Sequence, residues 1–478
     1  MSRINSNVPA FVAQANLRRA NQSLQLNLER LATGLRINRG KDDPAGLIVS
    51  ENLRSEISSI DRAIENTQRA VNIISTTEGA LNEVAALLTD IQGLILQSAN
   101  LGAGSDAEVR ANQLQIDSAI ESITRIANST TFAGRRLLDG SLAYVTSGVD
   151  ANRIQALNIT GASFGSRSTI PVEMLVTQAP QKAELYLTQS TLASATTIEI
   201  RGQDGVISLS LPAGSSRQRI ADAVNQNTQA TGVEATDLTS ALVLRSVDYG
   251  TTAMVGIDVL SGGAFDTYLD SAGTQASQND VGQDIEATVN GALAVGRGLS
   301  VTLNTQTLDM NLEFAENTAL SAITSFEILS GGALFQLGPQ VISNQQANIG
   351  VQSVAASRLG DNVVGFLSQI KTGEQYALLA KDPALMKQAA DIINEAVRQV
   401  AVLRGRLGAF ERSTLATNIN QLEITLENLT ASESSIRDTD FAQETSELTR
   451  NQILVNAATS VLAMANAQPQ QVLALLGG

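Results

Sequence analysis

Carboxylates are the side chains left to carry chemistry in this sequence, because its 478 residues include neither histidine nor cysteine. Without imidazole or thiolate, Ser-His-Asp triads, Cys-His dyads, His-Glu-x-x-His metalloprotease sites and thiolate zinc sites are ruled out. Two chemistries stay open: a carboxylate pair flanking a glycosidic bond, and an all-oxygen calcium loop. The candidates by position are Asp42-Asp43, Asp438-x-Asp440 and the trio Asp258, Asp266 and Asp270. The first two groups precede helical patterns, where Asp is a preferred N-cap because its carboxylate accepts the free N–H groups of the first turn. The trio reads as solvated loop charges. Gly is plentiful, yet no Gly-x-x-x-x-Gly-Lys-Ser/Thr phosphate loop occurs. The sequence therefore predicts no enzyme, with no catalytic residue, no cofactor-binding residue and no metal ligand.

Composition narrows the partners. Apolar residues make up 43% of the chain but aromatics only 3%, so a core must rest on Ala, Leu, Ile and Val, which suits helices packed along their lengths. The net charge of −15 argues against nucleic acid, whose phosphates demand a concentrated basic surface. No uninterrupted apolar run approaches the roughly 18 residues of a membrane span, so no membrane insertion is expected. The first residues also lack the blocks of a cleaved signal peptide, so export would have to read something else.

The elements that would position any site are helical at both ends. Leu17, Leu24, Leu28, Leu31 and Leu35 fall on an alternating three-and-four seam with Asn21 as a polar register marker, and the segment stops at Gly40. Asp43 and Pro44 then read as an N-cap and first helical residue, opening a helix towards Asn100 that would be roughly 85 Å long. Its seam runs through Ile57, Ile60, Ile64, Val71 and Ile74, then in a rotated phase through Val84, Leu87, Ile91 and Leu94. Ser105 and Glu108 form a capping-box pattern for a third helix through Ile116, Ile120 and Ile123. At the other end Asp382-Pro383 opens a heptad run from Ala389 to Phe410, which resumes after a register shift as Leu415, Ile419, Leu422, Leu426 and Leu429. Neither block completes a core alone, so the two are expected to pack as antiparallel rods.

Between about 142 and 359 the pattern changes to short β-branched runs such as 196–200, 206–211 and 299–303, with one short helix at 216–225. The expected fold class is α + β multidomain: long antiparallel coiled-coil helices from both termini form a stalk that carries a mainly β central insertion. The last segment, 451–478, has no charged residue, and its Ile453, Leu454, Val455, Val461, Leu462, Met464, Val472, Leu473, Leu475 and Leu476 lie all round the helix. A tail apolar on every side needs neighbours on every side. The predicted self-assembly residues are Leu17, Leu24, Leu28, Leu31, Leu35, Val455, Val461, Leu462, Leu473, Leu475 and Leu476. A secreted coiled-coil adhesin is the other structural reading these patterns allow.

Several stretches resemble the flagellin family: Leu28-Glu-Arg-Leu-Ala-Thr-Gly-Leu-Arg-Ile-Asn38, Asp42-Asp-Pro-Ala-Gly46, Thr76-Thr-Glu-Gly-Ala-Leu-Asn-Glu83, Gln97-Ser-Ala-Asn100 and Thr459-Ser-Val-Leu-Ala-Met-Ala-Asn-Ala-Gln468 with the following Pro469 and Gln470-Gln-Val-Leu-Ala-Leu-Leu476. The likeness covers roughly residues 1–140 and 375–478, and 196–233 is similar to a module inserted in many flagellins and filament-cap proteins. It implies a secreted, extracellular homo-polymer for swimming motility, alone or mixed with other flagellin subunits, exported through the flagellar type III channel. It also implies an export chaperone and hook-associated and cap proteins as partners. The expected division is 1–43 as an N-terminal inner-tube helix, 44–141 as N-terminal stalk, 142–365 as surface insertion, 366–437 as C-terminal stalk and 438–478 as C-terminal inner-tube helix. Pro44 stands where the family often has Ala, as in the related hook-filament junction protein, which is the alternative within this group. At the family's innate-receptor epitope, Asp90 and Gly93 stand where Arg and Glu are usual and Leu94 is kept, so the resemblance implies weakened recognition.

Overall fold

The computed structural model describes residues 6–476 apart from 101–104, 166, 239, 306, 317 and 319–322. The chain forms two compact units, one of Met1–Arg69, Leu337–Gln340 and Ser413–Gly478, the other of Ala70–Gln336 and Val341–Arg412.

Helix α2 (Pro44–Ser98) follows α1 (Val8–Thr33) and precedes α3 (Asp106–Ser129); its residues to Arg69 belong to the first unit and those from Ala70 to the second. The buried positions of α2 are Ser50, Ile60, Ala63, Thr67, Ala70, Ile74, Thr77, Leu81, Val84, Leu88, Ile91, Ile95 and Ser98. From Ile60 onward they alternate three and four apart without a break. The rotated phase expected from Leu87 and Leu94 does not occur; both are half-buried beside the seam. The seam stays continuous because Thr67 and Thr77 fill core positions, their hydroxyls donating to the carbonyls of Ala63 and Ile73 at 2.8 Å. A hydroxyl satisfied within its own helix can be buried with little penalty. By length and composition α2 is long and apolar enough in part to cross a membrane.

In the central part of the second unit lie two short helices, α4 (Arg217–Asn225) and α5 (Thr228–Thr231); α6 (Pro383–Phe410) closes that unit, and α7 (Thr417–Arg437) and α8 (Phe441–Leu476) belong to the first. Helix α6 starts as expected, with Asp382 capping Ala384 N at 2.8 Å. It runs antiparallel to α2, with Gln92 donating to Asn394 at 2.8 Å. The register shift read from the sequence is a π-helical turn, Glu411–Ala416. A π turn absorbs one extra residue, which returns Leu415 and Leu422 to burial. In the first unit α7 covers α2 through Leu422, Leu426 and Leu429 against Ile60, Ala63 and Ile64. Helix α3 has its capping box, with Glu108 N to Ser105 Oγ at 3.3 Å and Ser105 N to Glu108 Oε2 at 2.7 Å. Its buried Gln113 holds the chain before α6, donating to Ile370 O and accepting from Leu378 N.

The central β region contains an eight-stranded antiparallel sheet, in spatial order 145–147, 323–330, 170–178, 286–289, 292–297, 300–304, 308–314 and 154–162. Strict alternation puts Val172, Met174 and Val176 on its buried face, together with Val301, Leu303, Met310, Leu312 and Phe314. A second layer pair is nested between the strands 170–178 and 286–289. Its two four-stranded sheets bury Leu185, Leu187, Leu242 and Leu244 against Ile198, Ile200, Val255 and Ile257, with Ile220 and Val224 of α4 completing the core. The strands expected at 196–200, 206–211 and 299–303 and the helix at 216–225 all form.

Asp284 fastens the crossing between these layers. Its carboxylate accepts from Thr251 N at 3.1 Å, Thr251 Oγ1 at 2.6 Å and Gly298 N at 2.7 Å. Burial pushes its pKa up, but the hydrogen bonds from Gly298 and Thr251 outweigh this and leave it below the ordinary carboxylate value. A depressed folded pKa means that the group's contribution is full above the unfolded pKa and fades as pH falls through the folded one. Asp284→Asn is thus expected to lower β-region stability by about 1–2 kcal/mol at neutral pH, with the gap to the parent chain closing in denaturant titrations as pH falls below the ordinary carboxylate range.

Candidate functional site: an assembly surface

The carboxylate candidates resolve into structural roles. Asp43 caps α2 through Gly46 N at 2.9 Å, and Asp440 caps α8 through Ala442 N at 2.8 Å and Gln443 N at 3.1 Å. Asp42 accepts from Arg39 N at 2.8 Å, and Asp438 from Ser434 Oγ at 2.6 Å. Asp258 pairs with Arg201, Asp270 accepts from Thr274 N at 2.7 Å, and Asp266 is exposed. Among the described residues no group of three or more His, Cys, Asp or Glu could hold a metal.

What remains conspicuous is the first unit's pair of terminal helices. Helix α1 is capped by Asn7, whose Oδ1 accepts from Ala10 N at 3.1 Å, and it stops at Gly34. Gly34 takes φ +72°, a left-handed conformation that ends the helix six residues before the expected stop. Leu35 therefore lies beyond α1. It pairs in an isolated bridge with Asp438, while Arg36 N donates to Arg437 O at 2.7 Å and Thr439 N to Gly34 O at 2.9 Å.

Among the shielded positions one series runs along α1 through Ala10, Ala13, Leu17, Ala20, Leu24, Asn27 and Leu31, and another along α8 through Glu444, Leu448, Asn451, Val455, Ala458, Leu462 and Ala465. Both series keep heptad spacing, and the helices are antiparallel, with Asn7 Nδ2 donating to Ala465 O at 2.8 Å and Asn451 Nδ2 to Asn27 Oδ1 at 3.0 Å. Of the expected assembly residues, Leu17, Leu24, Leu31, Val455 and Leu462 share this seam. Leu28 and Val461 do not; each is 49% exposed and faces away from it. The side chains of Leu473, Leu475 and Leu476 lie outside the described residues, although the backbone is helical to Leu476.

Asn21, expected as the polar marker, is exposed, and Asn27 occupies that role at 3% exposure. The heptad pattern holding Asn27 is present in the sequence, but its Ala10, Ala13 and Ala20 are weaker signals than the leucines at 28 and 35. Large apolar side chains beyond the seam, only some of which the sequence pattern singles out, are exposed on both helices: Val8, Phe11, Val12 and Leu28 on α1, and Phe441, Ile453, Leu454, Val461 and Met464 on α8. The pair thus carries apolar side chains both inside its seam and outside it.

Residues 4–143 match the bacterial flagellin N-terminal helical region, residues 390–476 the bacterial flagellin C-terminal helical region, and residues 197–248 the flagellin hook IN motif. The flagellin of Salmonella typhimurium is 30% identical over 509 residues, covering 99% of both chains. The B-type flagellin of Pseudomonas aeruginosa is 30% identical over 501 residues and Flagellin B of Vibrio cholerae 28% over 482 residues, each again covering 99% of both chains.

Proposed function

The chain belongs to the bacterial flagellin family and is a subunit of the flagellar filament, and on that premise we propose that α1 and α8 are the parts through which its copies hold one another. The observation that carries this is the exposed apolar set on both helices, above all Ile453 and Met464, each 63% exposed in a segment without charge. Burying such side chains against neighbouring copies offsets the entropy of ordering them. Because head-to-tail contacts need not close, the product is a helical filament.

The same reading assigns 1–43 and 438–478 to the inner tube, 44–141 and 366–437 to the stalk and 142–365 to the solvent-facing insertion. It places the polymer outside the cell after type III export, with an export chaperone and hook-associated and cap proteins as partners. The test is negative-stain electron microscopy of the purified chain with added filament seeds. Regular filaments are expected; monodisperse particles under every polymerising condition would overturn the reading.

At the receptor epitope Asp90 and Gly93 are both exposed, and a Cβ at Gly93 would meet no atom within 4 Å. The doubly substituted D90R/G93E chain therefore keeps its fold and is expected to signal through the vertebrate flagellin receptor at least about tenfold more strongly, as judged in a reporter-cell titration. Ten-fold corresponds to about 1.4 kcal/mol, a modest demand for one restored charge pair.

A further inference from the structure

The apolar seam between α1 and α8 does not by itself fix how the two helices are aligned. The observed anchors set Leu17 opposite Ala458 and Ala20 opposite Val455. Sliding α8 by one heptad, at the expense of the backbone pairing of Gly34 and Arg36 with Thr439 and Arg437, would set Leu17 opposite Ala465, Ala20 opposite Leu462 and Leu24 opposite Ala458. Large residues would again face small ones, so packing is nearly as good in the wrong alignment.

We propose that Asn27, Asn451, Arg30 and Glu444 form a polar lock that selects the alignment of the terminal helices used in the filament. Asn27 and Glu444 are 3% and 5% exposed, and they sit on the seam itself. Asn451 Nδ2 donates to Asn27 Oδ1, Glu444 Oε2 lies 3.7 Å from Arg30 Nη1, and Thr439 Oγ1 donates to Glu444 Oε2 at 3.4 Å. In the shifted alignment Ala458 takes the place that Asn451 holds beside Asn27, and Asn27 loses its hydrogen-bond partner, which a buried amide tolerates poorly.

The cluster does not maximise stability. Asn27 Nδ2 and Glu444 Oε1 are buried without a hydrogen-bond partner, so apolar residues at these places would pack at lower penalty. Polar groups kept in an apolar seam at such a disadvantage discriminate between alignments, as a single buried Asn does in coiled coils. The inference rests on the assembly role of these helices given above.

The chain has no cysteine, so introduced pairs report alignment cleanly. Ala20→Cys with Val455→Cys reports the observed alignment, and Ala20→Cys with Leu462→Cys the shifted one. Oxidation is carried out on filaments and on soluble chain, and same-chain disulfides are quantified by mass spectrometry. In the otherwise native background the 20–455 disulfide should dominate. Adding Asn27→Leu and Asn451→Leu should raise the 20–462 product at least about tenfold relative to it. A second background moves the partner by one heptad, Asn451→Leu with Ala458→Asn, and should make the 20–462 product the major one.

An unchanged disulfide ratio in both backgrounds overturns the lock. Because the ratio is also read on soluble chain, a background that no longer polymerises still decides for or against it. Absence of polymer from the unsubstituted chain, by contrast, counts against the assembly role and leaves the ratio as a separate result.

Discussion

Chains ending at Arg450 are expected to form no filaments under conditions in which the full-length protein does. The truncation removes Asn451, Val455, Ala458, Leu462 and Ala465 from the seam, leaving Leu17 and Leu24 of α1 without the helix that shields them. It also removes four outward apolar side chains, Ile453, Leu454, Val461 and Met464. At roughly 1.5–3 kcal/mol for each such side chain fully buried, their removal forfeits about 6–12 kcal/mol of potential contact per subunit, before ordering costs. If only a quarter to a half survives those costs, about 1.5–6 kcal/mol, the critical concentration rises by at least about one order of magnitude. The second unit does not contain the deleted segment, so circular dichroism melting of the β region should be unchanged, which separates failed assembly from failed folding. Regular filaments from the truncated chain at the parent's concentration would refute the assembly surface.

The helix starts are legible in the sequence because each is written by one or two side chains: Asp43, Ser105, Ser216 and Asp382 all cap the helices that follow them. The shift between Phe410 and Leu415 is legible for a similar reason, since an extra residue in a heptad run must be absorbed somewhere, and here a π turn takes it. Seam phase is harder. Two neighbouring stripes on a helix differ by one residue, and leucines at 28, 87 and 94 point to the wrong one where Ala20, Asn27, Thr67 and Thr77 hold the true one. Gly34 is hidden as a stop because the leucine after it fits the same spacing. The order of the sheet is not readable at all: strand 170–178 lies between 323–330 and 286–289, pairings over more than a hundred residues that local patterns do not encode. For the proposed assembly surface, apolar character without charge singles out the terminal helices in the sequence, but only the packing shows which leucines turn inward.

That last distinction has a measurable consequence on α2. Leu88 is fully buried on the seam, whereas Leu96 on the same helix is 65% exposed. Sequence pattern ranks the two alike, since both are leucines in one apolar helix. Leu88→Ala deletes buried methyl groups from a line continued by Leu81, Val84, Ile91 and Ile95 on α2, and helices held by mutual packing relax poorly around such a cavity. The expected loss is about 3–5 kcal/mol. At roughly 1.4 °C per kcal/mol for a unit as large as the second one, the melting midpoint of the soluble chain should fall by about 4–7 °C. Leu96→Ala should change it by less than about 0.5 kcal/mol, since exposed substitutions leave no cavity. Differential scanning calorimetry of the two variants decides the matter, with filament formation avoided by low protein concentration. Equal losses at the two positions would mean that α2 has no single buried seam, and the unbroken three-and-four spacing from Ile60 to Ser98 would then have to be abandoned as the element that organises the stalk.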